Sequence, residues 1–175
     1  MAEAGWTSAS PTPPNTPIVH HTNILKQFVQ TPTTINVAAC ETPNVSVNMG
    51  RHMRAQFSGV GYTTPTVAFD VSINACPAGI LTTIQYQFIP VNAVIDANNG
   101  LLALDSTSTA AGIALQLKDG NNAPLKFNTP YTLAGYSKAA GGSYKVPLKA
   151  AYRQTAPTIT PGSANAALTF TMTYQ

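Results

Sequence analysis

The two cysteines and three histidines carry the most distinctive chemistry in this 175-residue sequence. Cys40 and Cys76 form an even count in a chain poor in charged residues, which favours one disulfide over two buried free thiols. The histidines could join a carboxylate in holding a metal ion, but neither H-x-x-x-H nor C-x-x-C spacing occurs. We therefore predict a covalent cross-link, with no metal and no other cofactor.

The sequence also gives no pattern for catalysis or for nucleic-acid binding. A serine hydrolase places its nucleophile in a strained turn such as G-x-S-x-G, which is not found here. The six acidic residues are scattered and suggest no pair for general acid–base catalysis. The net charge of +3 arises from nine dispersed basic residues, of which Arg51 and Arg54 lie closest together. Without a basic stripe interleaved with aromatics, we predict neither an enzyme nor a nucleic-acid-binding protein.

The composition indicates an extracellular β-protein. Charged residues make up 9% of the chain, whereas soluble domains average about 25%, and Thr, Ser, Asn and Gln supply the polarity instead. An apolar fraction of 44% is enough for one core. No apolar run approaches the roughly 18 residues of a membrane span. No export signal is visible at Met1, so an exported form would be a processed or excised chain.

Short alternating segments dominate the sequence from residue 33 onward. A two-residue period of apolar side chains is typical of antiparallel strands with one buried face. We predict an all-β sandwich, with Gln116 and Lys118 pointing outward from one of the strands. The six apolar sets are Val45, Val47 and Met49; Val67, Phe69, Val71 and Ile73; Ile84, Tyr86 and Phe88; Ile113, Leu115 and Leu117; Tyr144, Val146, Leu148 and Tyr152; and Leu168, Phe170, Met172 and Tyr174.

The N-terminal part differs in composition from this domain. Residues 7–17 contain four prolines among Ser and Thr, which is typical of an extended linker. Residues 18–30 are apolar in part, but both alternating phases are interrupted by polar side chains. We predict that residues 1–32 are a linker or the end of a preceding domain, and that residues 33–175 form the main domain.

The last strand carries a resemblance to a known family. Gly162 is the fourteenth residue from the end, Tyr174 is the penultimate one, and Leu168, Phe170 and Met172 alternate between them with threonines. This pattern resembles the C-terminal signature of chaperone–usher pilins. The similarity covers about residues 33–175, since further stretches in the same order also resemble pilins: residues 111–125, 146–152 and 158–166, with Cys40 and Cys76 in the places of the pilin disulfide.

The resemblance implies both a fold and a mechanism. Pilin domains are incomplete immunoglobulin-like β-sandwiches that lack their last strand and so leave an apolar groove. A periplasmic chaperone fills the groove during export, and a donor strand from a neighbouring subunit then replaces the chaperone at an outer-membrane usher. The residues that the resemblance assigns to the groove are Gly162, Leu168, Phe170, Met172, Tyr174 and Gln175. The implied location is a fimbrium on the surface of a Gram-negative bacterium.

Three interpretations of the subunit type stay open. The stretches 57–61 and 101–104 resemble the C-terminal pilin domain of a two-domain tip adhesin, whose receptor-binding domain would lie outside this chain. A shaft or minor tip pilin would need residues 18–30 as its donor strand, for which the alternation is poor. A self-sufficient immunoglobulin-like carbohydrate-binding module would complete its own sandwich. We favour the adhesin domain, anchored to its fibre by donor-strand complementation.

Overall fold

A computed structural model describes residues 39–79 and 81–175. The predicted linker, residues 1–32, lies outside the described residues, so the domain boundary stays a prediction. The described part is built from eight antiparallel strands in two sheets, with a single 3-10 helix at Arg54–Gln56. The all-β prediction is confirmed, and five of the six alternating segments form strands.

The larger sheet is organised around its longest strand. Strand β7 (Gly142–Gln154) pairs on one edge with β1 (Val67–Cys76) and on the other with β5 (Ile113–Asp119). Two short strands, β4 (Leu101–Leu102) and β3 (Val94–Asp96), extend the sheet beyond β5, which gives the order β1-β7-β5-β4-β3. The two ladders of β7 overlap at residues 148–150, where the strand is paired on both edges.

The smaller sheet has three strands. Strand β2 (Ile84–Pro90) lies between β6 (Tyr131–Thr132) and β8 (Leu168–Tyr174). All seven residues of β8 pair with β2, from Ile84 opposite Tyr174 to Pro90 opposite Leu168. Among the described residues no strand pairs with the other edge of β8, so this strand ends the sheet with one side of its backbone free.

The core lies between the inner faces of the two sheets. Both sheets contribute alternate apolar side chains, as expected when each strand buries one face. Burying such side chains contributes about 1.5–3 kcal/mol each relative to exposure. The most deeply buried are Phe88, Ile73, Ile84, Leu102 and Leu125.

Two sequence predictions are wrong. Val45, Val47 and Met49 do not belong to a strand: residues 42–50 have no regular secondary structure, and the backbone pairing next to them is a bridge between Glu41 and Asn74. Alternation marks a face of a strand, but a ladder also needs a neighbouring backbone within reach. Gln116, predicted to point into solvent, is 3% exposed and donates its Nε2 hydrogen to the Asn99 carbonyl oxygen at 2.9 Å.

The predicted disulfide is formed between Cys40 and Cys76. A bulge interrupts the β1–β7 register between Ile73 and Cys76, with Ala75 in the left-handed region at φ 52°. The extra residue re-aims the end of the strand, and Cys76 lies opposite Gly142. The cross-link therefore holds the start of the extended segment 42–50 against the end of β1.

Candidate functional site

A long groove of about 1240 Å³ opens between β8 and the extended chain at residues 42–52. Its floor is apolar and comes from both sheets. Residues 161–170, which include the first part of β8, form one wall, and residues 42–52 form the other. The floor side chains are Phe69, Val71, Phe88, Ile113, Leu115, Leu117, Leu148, Ala150 and Tyr152.

The β8 wall presents alternate apolar side chains to this groove. Leu168 and Phe170 line it, and the Phe170 ring lies 5.3 Å from Phe88 and 5.4 Å from Tyr86, measured between ring centroids. Centroid separations in this range are typical of favourable aromatic pairs. Nevertheless, no residue of β8 is fully buried. The wall is thus anchored from below and open on the groove side.

Met172 and Tyr174 lie beyond the part of β8 that lines the groove. The Tyr174 hydroxyl accepts a hydrogen bond from the Cys40 backbone N–H at 3.0 Å and lies 3.6 Å from the Met172 sulfur. Because Cys40 precedes the opposite wall, Tyr174 joins the two walls at the disulfide end. Both side chains pack against the core beyond this cavity, and their assignment to the donor-strand groove stays a prediction.

Gln175 continues the ladder with the smaller sheet. Its backbone N–H donates to the Thr83 carbonyl at 2.9 Å, and its own carbonyl oxygen accepts from the Thr82 and Thr83 N–H groups. The side-chain Nε2 donates to Gln85 Oε1 at 3.1 Å. Gln175 does not border this cavity, and its assignment to the donor-strand groove stays a prediction.

Gly162 lies at the other end, before β8 begins, and lines the groove. A Cβ added there would lie 2.3 Å from Thr109 Oγ1 and 2.6 Å from the Ala110 backbone nitrogen, well inside any normal contact. The adjacent Ser163 N–H donates to Thr109 Oγ1 at 2.9 Å, and Thr109 N–H donates to the Ser163 carbonyl at 3.0 Å. Glycine is needed because two backbones approach closely at this point.

A small polar loop supports that end of the groove. Asp105 accepts from the Thr107 hydroxyl at 2.7 Å and from the Thr107 N–H at 2.9 Å, and the side-chain bond from Thr107 is the main cause that lowers the Asp105 pKa. Ser108 accepts from Asn165 N–H at 2.8 Å. The bond to Ser108 holds the chain just before β8. The backbone and hydroxyl donors around Asp105 lower its pKa because they bond to the ionised carboxylate.

The wall at residues 42–52 was not identified as part of the site from sequence. Arg51, His52 and Arg54 line the groove on this side. His52 packs its ring edge-on against Tyr152, with centroids 5.6 Å apart, and its Nε2 lies 3.0 Å from the Met49 carbonyl oxygen. The closeness of Arg51 and Arg54 in sequence was the one signal for this cationic feature, and alternation alone could not place it at the groove.

Tyr152 fixes the floor near the same end. Its hydroxyl donates to the Ala164 carbonyl at 2.6 Å, and burial raises its pKa. The Thr64 hydroxyl accepts from the Tyr152 N–H at 3.0 Å. Tyr152 is thus held by its backbone and by its hydroxyl. Its neutral phenol is suited to packing and hydrogen bonding rather than to proton transfer.

Over residues 39–79 and 81–175 no three His, Cys, Asp or Glu side chains cluster as metal ligands would. No helix in the described part of the chain has the length and apolar character needed to span a bilayer.

Comparison with protein families gives a match over residues 25–175 to the family described as fimbrial protein. This span includes both cysteines, the groove and all eight strands. The chain belongs to the fimbrial protein family. Fimbrial proteins are surface pilus components and structural rather than enzymatic, so the chain is a structural and adhesion module of a fimbrium. The interpretation as a self-sufficient carbohydrate-binding module is not favoured.

Individual fimbrial relatives include both small subunits and an adhesin. The chain is 30% identical over 145 residues to the fimbrial subunit type 1 of Salmonella typhimurium, covering 79% of this chain and 77% of that protein. It is 31% identical over 139 residues to a fimbria adhesin protein of Klebsiella pneumoniae, covering 75% of this chain and 42% of the adhesin. The similarity therefore spans two kinds of fimbrial component.

Solved structures show the same fold. The CupB6 tip adhesin of Pseudomonas aeruginosa superposes with a TM-score of 0.63 at 26% identity, over 77% of this chain and 38% of the adhesin chain. The P pilus rod subunit PapA superposes with a TM-score of 0.61 at 14% identity, over 84% of this chain and 98% of that subunit. The second likeness concerns the fold alone, which is the incomplete immunoglobulin-like sandwich predicted from the sequence.

Proposed function

We propose that the groove between β8 and residues 42–52 accepts a donor strand from a neighbouring fimbrial subunit. The observation that carries this proposal is the combination, in one cleft, of an apolar floor and a strand edge with which no strand of the described residues pairs. An extended peptide entering such a cleft pairs its backbone with β8 and buries alternate side chains, which is β-strand addition. During export the same groove would hold a strand of a periplasmic chaperone, which is exchanged at an outer-membrane usher.

Two sources of free energy support this occupancy. The free edge of β8 offers backbone N–H and C=O groups, and unpaired edges favour pairing with another chain. The floor offers apolar side chains, and each Å² of apolar surface removed from water contributes roughly 25 cal/mol. Phe170 and Leu168, both only partly buried, would be among the first side chains to lose contact with water.

For the type of subunit, we propose that the chain is the C-terminal pilin domain of a two-domain tip adhesin. The likeness to the CupB6 tip adhesin, which covers 38% of that chain, supports this assignment. So does the match to the Klebsiella adhesin, which covers 42% of it. On this proposal the domain anchors an adhesin to its fibre, and a domain outside this chain binds the host receptor.

The second candidate is a single-domain shaft or minor subunit. It is supported by the match that covers 77% of the Salmonella fimbrial subunit. In that case residues 18–30 would be the donor strand for another copy. Deleting residues 18–30 should then abolish polymerisation, whereas an adhesin domain should stay monomeric with or without them, as measured by light scattering.

A peptide experiment tests whether the groove accepts a donor strand, which both candidate subunit types require. A synthetic 13-residue peptide with Val at alternate positions and Thr between them is expected to raise the Tm of the full chain by several degrees. A scrambled peptide of the same composition is the matched control, because it keeps hydrophobicity but loses alternation. Equal effects of the two peptides, or no effect of either, would contradict the proposed function. Phe170→Asp should weaken binding of the alternating peptide most, because it places a charge on the groove wall.

A further inference from the structure

The charge on the groove walls is uneven. Arg51 and Arg54 line the groove, and no Asp or Glu is found among the described residues that line it. Both arginines are exposed, and within the described part of the chain neither forms an ion pair. A strand lying in the groove would therefore meet two positive charges on its rim and no negative charge from a lining residue. Asp105, in the loop that supports the same end, lies outside the lining and accepts hydrogen bonds from Thr107 and Ser108.

These charges lie at one end of the groove. His52, between the two arginines, packs against Tyr152, and Tyr152 is bonded to Ala164 just before β8. The arginine end is thus the end where β8 begins. The chain of the opposite wall starts at the disulfide, where Glu41 bridges Asn74, and runs about ten residues from there to Arg51.

Screening by salt limits how far a charge on an inserted strand can act. Extended chain rises about 3.3 Å per residue, so Glu41 and Arg51 are separated by up to roughly 30 Å of wall. The Debye length at physiological ionic strength is about 8 Å. A charge on an inserted strand therefore interacts with the arginines only if it lies near their end of the groove.

We propose that the groove selects a donor strand with an acidic residue at the end that meets Arg51 and Arg54. This inference rests on the proposed strand-accepting function and adds the chemistry of the partner. Complementary charge at the rim of an interface acts mainly on association rate and specificity. Arginine is suited to this role because its planar guanidinium binds a carboxylate through two parallel hydrogen bonds.

The same charge pattern makes another copy of this chain a poor donor. Its residues 4–40 contain no Asp or Glu, and the apolar stretch 18–30 includes Lys26. Such a strand would bring positive or neutral side chains to the arginine end. The favoured occupant is therefore a strand of a different fimbrial subunit, with alternate apolar side chains and an acid near one end.

Peptides based on the alternating Val/Thr sequence test this inference on the full chain. One Thr near the first end or near the last end is replaced by Glu, Gln or Lys, and Kd is measured at 20 mM and 500 mM NaCl. At one end only, Glu should bind about twofold to fivefold more tightly than Gln at low salt, as expected for exposed ion pairs. Lys should bind more weakly there, and the differences should shrink at high salt.

Charge-removal variants locate the effect. Arg51→Gln with Arg54→Gln should abolish the preference for Glu over Gln while still binding the neutral peptide. Lys126→Gln with Lys138→Gln is the matched control, because it removes the same charge from two exposed side chains that do not line the groove.

The outcomes separate the two proposals. If every peptide binds equally well, or Glu is favoured at both ends alike, the acidic-donor inference is wrong while the strand-accepting function stands. A Glu preference that persists in the double arginine variant also overturns it. If no alternating peptide binds, the strand-accepting function fails, and the inference fails with it.

Discussion

Strands β7 and β8 share an alternating pattern of apolar residues but differ in their surroundings. Both alternate apolar with polar residues, yet Val146, Leu148 and Ala150 of β7 are buried, while no residue of β8 is. β7 has β1 on one edge and β5 on the other, whereas among the described residues β8 pairs with β2 alone. Alternation is therefore not enough to bury a strand, because its apolar face must also be covered, and part of the β8 face borders the open groove.

The contrast has a functional meaning. A strand paired on both edges contributes to stability at once, since its ladder and its core contacts form during folding of the domain. A strand with a free edge beside an apolar groove can still form backbone hydrogen bonds and bury apolar surface when another chain binds. Four sets of substitutions, from the largest expected effect to the smallest, test this difference between the two strands.

Truncating one leucine in each strand gives the largest difference. Leu148→Ala in β7 should lower the free energy of unfolding by about 2–5 kcal/mol, because it leaves a cavity in a packed core. Leu168→Ala in β8 should cost less than about 1.5 kcal/mol, because its side chain is only partly buried. Urea unfolding measures both. With saturating donor peptide the cost of Leu168→Ala should rise; equal costs without peptide would remove the distinction between the strands.

Removing the disulfide should affect the open side of the domain strongly. Replacing Cys40 and Cys76 with Ala opens a cross-link with a sequence separation of 36. In the chain-entropy model this lowers the free energy of unfolding by about 3–4 kcal/mol. Urea unfolding of the double variant measures the loss, and reductant should not destabilise that variant further. Hydrogen exchange should increase first at residues 41–50; uniform acceleration across β7 would argue against a local role.

Gly162→Ala tests the close approach at the start of the β8 wall. The added methyl group would overlap the backbone of Ala110, so we expect a loss of about 1–3 kcal/mol, typical of overpacking. Gly120→Ala is the control, because the nearest atoms to its Cβ would be those of Pro147, with the ring at 2.9 Å, and Gly120 does not line the groove. Thermal unfolding with and without donor peptide should show that only the Gly162 variant loses affinity. Similar behaviour of both variants would contradict a specific role for Gly162.

Tyr174→Phe should have the smallest effect. It removes the hydroxyl that accepts from the Cys40 N–H, and a hydrogen bond of this kind contributes about 0.5–1.5 kcal/mol. The Cys40 amide should exchange faster in the variant, as measured by NMR. Tyr62→Phe is the control, since the Tyr62 hydroxyl has no hydrogen bond to any described residue. Unchanged Cys40 exchange would show that the hydroxyl does not join the walls.

Much of the fold could be predicted from the sequence, because five strands follow the alternation of their apolar residues. The segment with Val45, Val47 and Met49 could not, since alternation does not reveal whether a partner backbone is near. Gln116 was misplaced for a similar reason: an amide that reaches the Asn99 carbonyl can be buried, and that contact depends on the turn before β4.

The site was predictable in part. Leu168 and Phe170 could be assigned to the groove by their position in the last strand. Met172, Tyr174 and Gln175 follow in the same strand but do not border the cavity, so their assignment to the donor-strand groove stays a prediction. Arg51, His52 and Arg54 face the groove through the course of the chain after the disulfide, which no local pattern encodes.

The bond between Tyr174 and Cys40 has a consequence for length. It joins the walls at one end, and Gly162 against Thr109 marks the other, so the site has two fixed limits. Strand β8 has seven residues, which corresponds to about 23 Å of extended chain. On the proposed function, a guest strand could pair with at most the seven residues of β8, however long the guest is. The length of β8 limits the length of the paired segment, so extra residues on a guest would gain no further pairing with β8.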